Sequence, residues 1–392
     1  MSLRPSRLGA SSAAAACVFV CLTGLFVSVP SASGAAPAGV PLSSAIETGG
    51  GSWAVLPMGD LSNPLDTFWQ VLHSASGFSQ WSVVTPQGVA DNGGLVAGAS
   101  AVSTLIGTLP SQQLRFSPLS VSADDGSTWS PALLPGGLTA RPDALADAGG
   151  TSTGSLAIVG TSVLRARPGL ASWTPLVSLR RLDRATPRCG ATALDAVAVA
   201  SSGAPLVATG CRRSGIVAVF TPLAGAWKQV GTTLSRKLGA LSTSVVRLES
   251  GGPATTALVA ARRSGRNSNA LIALWQKAGS WTTSAPLALP SEGSLLASSV
   301  GPAGTVAVVI GPKGAPVAYY LVPGGAWTRL PRLPRATSAL GPLEAAVGLG
   351  GPSLDAFTVA GTQLGVFALT PSGTEWAKAQ SIQVPLAYGS SG

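Results

Sequence analysis

Seven of the ten tryptophans recur at a near-constant interval, and this constrains the chain more than any other feature. They stand at Trp81, Trp129, Trp173, Trp227, Trp281, Trp327 and Trp376, separated by 48, 44, 54, 54, 46 and 49 residues. Each closes a short turn of glycine and small residues: SGFSQW, DDGSTW, PGLASW, LAGAWK, KAGSWT, PGGAWT and SGTEWA. A period near fifty marks a repeat architecture, in which one supersecondary unit buries its apolar face only against its neighbours.

The content between the tryptophans identifies the unit. Before Trp227 come LDAVAVA, PLVATGC and GIVAVFTP, and after it KQVGTTL; before Trp327 come LLASSV, TVAVVIG and PVAYYLVP. Short valine-rich runs bounded by Gly, Pro and Ser are strand signals. Helices are almost excluded, because 49 Gly and 30 Pro leave no long window of 3.6-residue periodicity. Three strands, a tight turn, the Trp and a fourth strand describe the blade of a β-propeller. The expected fold is therefore all-β: a propeller of seven four-stranded blades at 45–90, 91–138, 139–183, 184–236, 237–290, 291–337 and 338–388. Terminal repeats are often atypical, so six and eight blades are the alternatives.

Residues 1–34 read as a signal peptide rather than as fold. Arg4 and Arg7 precede the apolar run AAAACVFVCLTGLFVSV, and PSASGAAPA supplies small residues with cleavage expected after Gly34. Its length also suits an uncleaved membrane anchor. Residues 35–44 form a short linker, and 45–392 a single domain. Removal of the leader takes Cys17 and Cys21 with it. Cys189 and Cys211 then form the expected disulfide of an exported chain. Two cysteines and the single histidine, His73, do not make a structural zinc site, and neither metal nor cofactor is expected. The localisation that follows is extracellular or cell-surface.

Residues 122–130, SADDGSTWS, fit S-x-D-x-G-x-T-W through Ser122, Asp124, Gly126, Thr128 and Trp129. The stretch resembles the Asp-box, or BNR repeat, of sialidase-type propellers, where it occupies the turn between the third and fourth strands of a blade. Asp would accept backbone hydrogen bonds in such a turn, Gly would supply positive φ, and Trp would cover the hinge. The other six turns keep the small residues and the Trp without the Asp. In the family the box is a folding element away from the catalytic face. A sialidase-like site also requires three arginines, a Tyr nucleophile activated by Glu, and an Asp acid/base. No arginine falls between Arg7 and Arg115, and Tyr319, Tyr320 and Tyr388 have no neighbouring Glu in a convincing context. Asp143, Asp147, Asp195 and Asp355 read as strand-end caps or turn residues rather than as the paired carboxylates of a glycosidase. His73 has no nucleophile motif beside it and reads as a strand residue. A degenerate or unusual glycoside hydrolase of sialidase-like fold is the alternative function.

The 25 basic residues outnumber the 15 acidic ones, and they cluster. The motif RRSG occurs at 212–215 and again at 262–265, one repeat apart, each between the second and third strands of adjacent blades. Arg212, Arg213, Arg262, Arg263 and Arg266 should meet on one rim, with Cys211 anchoring one loop. Arg180, Arg181 and Arg184 lie on a connection expected to face the same rim. Guanidinium forks suit carboxylate, phosphate and sulfate. The sequence thus points to a secreted, non-catalytic binding or assembly module. Its expected partner is an anionic polysaccharide, another cell-envelope polymer or a protein. Nucleic acid is not expected, because the patch lacks interleaved aromatics for stacking bases.

Overall fold

The computed structural model describes residues from Ser44 to Val384 with interruptions, the longest at 109–118 and 132–141. The leader expected at 1–34 and Arg266 lie outside the described residues. So does the side chain of Arg263.

The described strands run in consecutive antiparallel meanders of four. The first comprises Ser44–Thr48, Gly51–Gly59, Thr67–Ser74 and Ser82–Val83. The fourth comprises Ala191–Val199, Pro205–Cys211, Ala218–Leu223 and Ala226–Gln229. The fifth comprises Ala240–Gly251, Ala254–Arg263, Asn269–Lys277 and Ser280–Thr283, with Leu287–Leu289 added on its third strand. The last comprises Thr337–Ala345, Pro352–Ala360, Gln363–Leu369 and Trp376–Gln383. The fourth and fifth groups merge into one nine-stranded sheet, because Cys211 pairs with Thr243. The innermost strand of the first group, weak in sequence, is Ser44–Thr48.

Packing runs around a closed ring. The first strand of each group touches the first strand of the next, and Thr337–Ala345 touches Ser44–Thr48. Among the described residues the core is divided into apolar layers between adjacent groups. Val245, Val259 and Ile272 of the fifth group pack on Ala208 and Val219 of the fourth. Phe357 and Val366 of the last pack on Leu56, Leu72 and Trp81 of the first. Strands rich in Val, Leu and Ala suit such layers, since both faces of each small sheet are covered.

The periodic tryptophans hold these layers in register. Trp129 Nε1 donates to Val84 O at 2.7 Å, Trp281 Nε1 to Val230 O at 2.7 Å and Trp327 Nε1 to Ala285 O at 3.0 Å. Trp376 Nε1 reaches Pro331 O at 3.4 Å. Each acceptor lies just past the fourth strand of the preceding group. Across the seam, Trp81 Nε1 donates to Asp355 Oδ2 of the last group at 2.8 Å. The expectation that Trp merely covers a hinge is thus incomplete: the indole also latches neighbouring groups together.

One helix departs from the all-strand expectation. Leu179–Ala185 forms a single α-helix between the third and fourth groups, burying Leu182. Seven residues without Gly or Pro, with Leu at positions three apart, suffice once Leu182 finds the layer around Val177 and Phe220.

Candidate functional site

Because strands alternate in direction, each group has two ends. The hairpins between strands one and two, and three and four, lie at the turn end. The links between strands two and three, and between groups, lie at the other, the connection end. Both Arg-Arg pairs belong to the connection end. Cys211 and Ala261 each pair with Thr243, one on either side. Arg212 and Arg262 follow them directly, so their backbones stand two strand spacings apart, about 10 Å. Both side chains are exposed, as is Arg213.

The first Arg-Arg loop is fastened on several sides. The disulfide Cys189–Cys211 ties it to the segment that follows the helix. Arg212 N donates to Cys189 O at 3.0 Å. Leu234 N donates to Gly215 O at 2.9 Å, and the Thr243 hydroxyl donates to Ile216 O. Ser214 and Gly215 take φ of 66° and 57°, the left-handed conformation that lets the loop reverse tightly. The Arg213 guanidinium lies over Gly190, so near that a Cβ there would stand 3.5 Å from Nε.

The helix arrives at the same end. Leu179 N donates to Thr161 O, in the link between Leu156–Val159 and Ser162–Ala166, the second and third strands of the third group. Arg180, Arg181 and Arg184 on the helix, and Arg188 after it, are exposed. Asp183 Oδ1 accepts Ala191 N at 2.8 Å, and its carboxylate lies outside ion-pair distance of these arginines.

Of the four carboxylates considered from sequence, Asp143 and Asp147 flank the strand Ala144–Ala146 as strand-end residues, whereas the other two are placed differently from expectation. Asp195 and Asp355 are neither strand-end caps nor solvated: they lie within strands and are 3 % and 1 % exposed. Asp195 Oδ2 accepts Val245 N of the next group at 2.7 Å. Burial pushes its carboxyl up to about 7, against hydrogen bonds from Val245, Ser244 and Gly210 that favour the charge. Asp143 accepts Gly160 N at 2.9 Å and Asp147 accepts the Ser155 hydroxyl at 2.7 Å. Arg247, half-buried on the first strand of the fifth group, is drawn down to about 10 by burial, with Glu249 opposing. His73 is buried and stacked on Trp53 with ring centroids 4.5 Å apart. Its Nε2 stands 3.9 Å from Asp125 Oδ1, and burial holds its pKa below the usual imidazole value while Asp125 opposes. Tyr319 and Tyr320 lie within Pro316–Leu321, as expected.

The aspartate turn sits at the turn end, away from the arginines. Asp124 Oδ1 accepts Thr128 N at 2.9 Å and Oδ2 accepts the Thr128 hydroxyl at 2.6 Å. Ser122 Oγ donates to Asp124 Oδ1 and accepts Gly126 N, both at 2.8 Å. The Thr128 hydroxyl is the foremost reason that the Asp124 carboxyl lies below its ordinary range. Gly126 takes φ of 84°, and a Cβ there would meet Val84 Cβ at 2.6 Å. The turn therefore closes on itself and presses on the group before it.

Sequence reasoning missed the helix as an element and Arg188 as part of the basic end. The only available signal was the Gly-free stretch SLRRLDRA between the fourth strand of one unit and the cysteine of the next.

No family model and no curated protein matches the chain. Solved structures do resemble it. The BP39L lectin from Burkholderia pseudomallei is 15 % identical, with 88 % of this chain and 99 % of that one covered and a TM-score of 0.50. The fungal lectin of Aleuria aurantia, described as a six-bladed β-propeller, is 13 % identical over 89 % and 98 %, with a TM-score of 0.39. Dipeptidyl peptidase 4 of Porphyromonas gingivalis is 9 % identical over 87 % of this chain and 53 % of that one, with a TM-score of 0.42. Together with the antiparallel meanders and the closed ring of inner strands, the likeness to the first of these shows the fold: the chain is an all-β propeller.

Proposed function

We propose that the protein is an exported, non-catalytic β-propeller of seven blades that binds an acidic polysaccharide of the cell envelope through its basic rim. The observation that carries the proposal is the register at Thr243, which sets Arg212 and Arg262 on the flanking strands of one sheet. The structural likeness to a lectin supports carbohydrate as the ligand class. The seven meanders, each packed on the next, support the blade count. The hydrogen-bonded turn at Ser122–Trp129 supports an Asp-box ancestry. Export rests on the leader-like residues 1–34 and agrees with the formed disulfide. Arg263 and Arg266 extend the rim if their loop follows its counterpart at 212–215.

The test is binding of residues 35–392 to isolated cell envelope and to acidic polysaccharides across a salt series. The comparison is a variant with Arg212, Arg213, Arg262 and Arg263 changed to Ser. Binding should weaken as salt rises, because exposed charges are screened. The variant should bind about tenfold more weakly or worse, the loss of some 1.4 kcal/mol of contact. Equal binding by both proteins defeats the rim as the working surface.

A further inference from the structure

Among the described residues, exposed arginines crowd the connection end of the propeller. At the turn end stand the three described lysines, Lys228, Lys277 and Lys378, with Arg165 and Arg329. Among the described residues, the exposed cations at the connection end are arginine. Arg180, Arg181, Arg184 and Arg188 lie between the third and fourth groups; Arg212, Arg213 and Arg262 belong to the fourth and fifth; Arg332 and Arg335 lie between the sixth and seventh. Lys237, between the fourth and fifth groups in sequence, and Lys313, between the second and third strands of the sixth, fall outside the described residues.

Among the described residues, none of these connection-end guanidinium groups lies within ion-pair distance of a carboxylate. The two described carboxylates at that end are occupied by backbone amides: Asp143 by Gly160 N and Asp183 by Ala191 N. Exposed like charges without an ion-pair partner among the described residues attract an external anion.

We infer that the docking surface extends beyond the two RRSG loops to the helix Leu179–Ala185, and that it reads oxyanions by guanidinium forks rather than by charge alone. The inference rests on the polyanion-binding function proposed above and names the chemistry of that site. Lysine is a strongly hydrated point charge, whereas the guanidinium offers paired donors to a carboxylate or sulfate. The disulfide and the Arg212 N–Cys189 O bond fasten the loop to the segment leaving the helix, so the two arginine sets are positioned before the ligand arrives. The matching ligand is a polysaccharide with oxyanions repeating along its chain, which would engage the helix and the loops together.

Charge-conserving variants test this. Residues 35–392 are compared with R180K/R181K/R184K, with R212K/R213K/R262K and with K228Q/K277Q/K378Q. Dissociation constants are measured for polygalacturonate and dextran sulfate at fixed salt, with neutral dextran as the blank, and folding is checked by thermal melting. Both Lys triples should bind about tenfold more weakly despite unchanged net charge, while the Gln triple binds as the parent does despite losing three charges. Preference for polygalacturonate assigns carboxylate, and preference for dextran sulfate assigns sulfate. If the helix Lys triple binds as the parent does, fork recognition by the helix is wrong. If the Gln triple loses as much as the Lys triples, net charge is the determinant and the inference fails. Should the parent bind neither polymer, the failure belongs to the polyanion-binding function itself.

Discussion

Asp195 shows how a residue can be unreadable in one dimension and decisive in three. LDAVAVA in the fourth unit and LDAFTVA in the seventh look alike, yet Asp195 lies on a first strand and Asp355 on a second. Each accepts a hydrogen bond from another group, Val245 N for one and Trp81 Nε1 for the other. Their partners lie 50 and 274 positions away, so no local pattern marks them. The Asp195 carboxyl titrates near 7 in the fold and near 3.8 in the unfolded chain. The native state therefore binds the proton more tightly. The contribution of this group to stability is full below about pH 4, declines as pH climbs and levels off above about 7. Melting temperature should fall over that window by the equivalent of a few kcal/mol. Asp195→Asn, which keeps an acceptor for Val245 N, should flatten the decline. An unchanged profile would mean that the carboxyl is not desolvated as described.

At the scale of the element, the turn and its tryptophan were legible because the same contact recurs in several groups. The indole must reach a carbonyl of the preceding group, and that need repeats with the period of the fold. Trp281→Phe keeps the apolar ring and removes the bond to Val230 O, and should cost about 1 to 2 kcal/mol in urea unfolding. Gly126→Ala should cost roughly 2 kcal/mol, since φ of 84° and the contact with Val84 both oppose a Cβ. A midpoint within error of the parent would show that the turn relaxes away from its neighbour. The helix was not legible, because seven residues give too few turns for periodicity to declare itself, and packing of Leu182 supplies what propensity does not. Of the candidate site, the RRSG repeat spacing foretold that the loops share an end. That Thr243 joins the two groups into one sheet was not legible, because a single pair across two units leaves no local pattern.

At the scale of the whole molecule, no strand is shared across the seam of the ring among the described residues. First and last groups each own four strands and meet through Trp81–Asp355 and a pair of bonds in which Gln380 Oε1 accepts Trp81 N at 2.8 Å and Gln380 Nε2 donates to Trp81 O at 2.9 Å. Asp355→Ala leaves a buried indole N–H without its acceptor, at a cost of about 2 to 3 kcal/mol. The loss should fall on the seam first. Native-state hydrogen exchange should speed up in Gly51–Gly59 and Pro352–Ala360 before the fourth and fifth groups, which are joined by ladder bonds and the disulfide. Uniform acceleration would instead mean that the ring opens as one unit.

The seam has a topological consequence. Strand Ser44–Thr48 starts at the connection end and strand Trp376–Gln383 finishes there, so a peptide joining Val384 to Ser44 would run where every other pair of neighbours is already linked. The order in which the groups are read from the chain is then a matter of where it happens to be cut. A circular permutant with that join and new ends between the fifth and sixth groups should adopt the same ring, keep the fourth and fifth groups contiguous, and present the same arginine end.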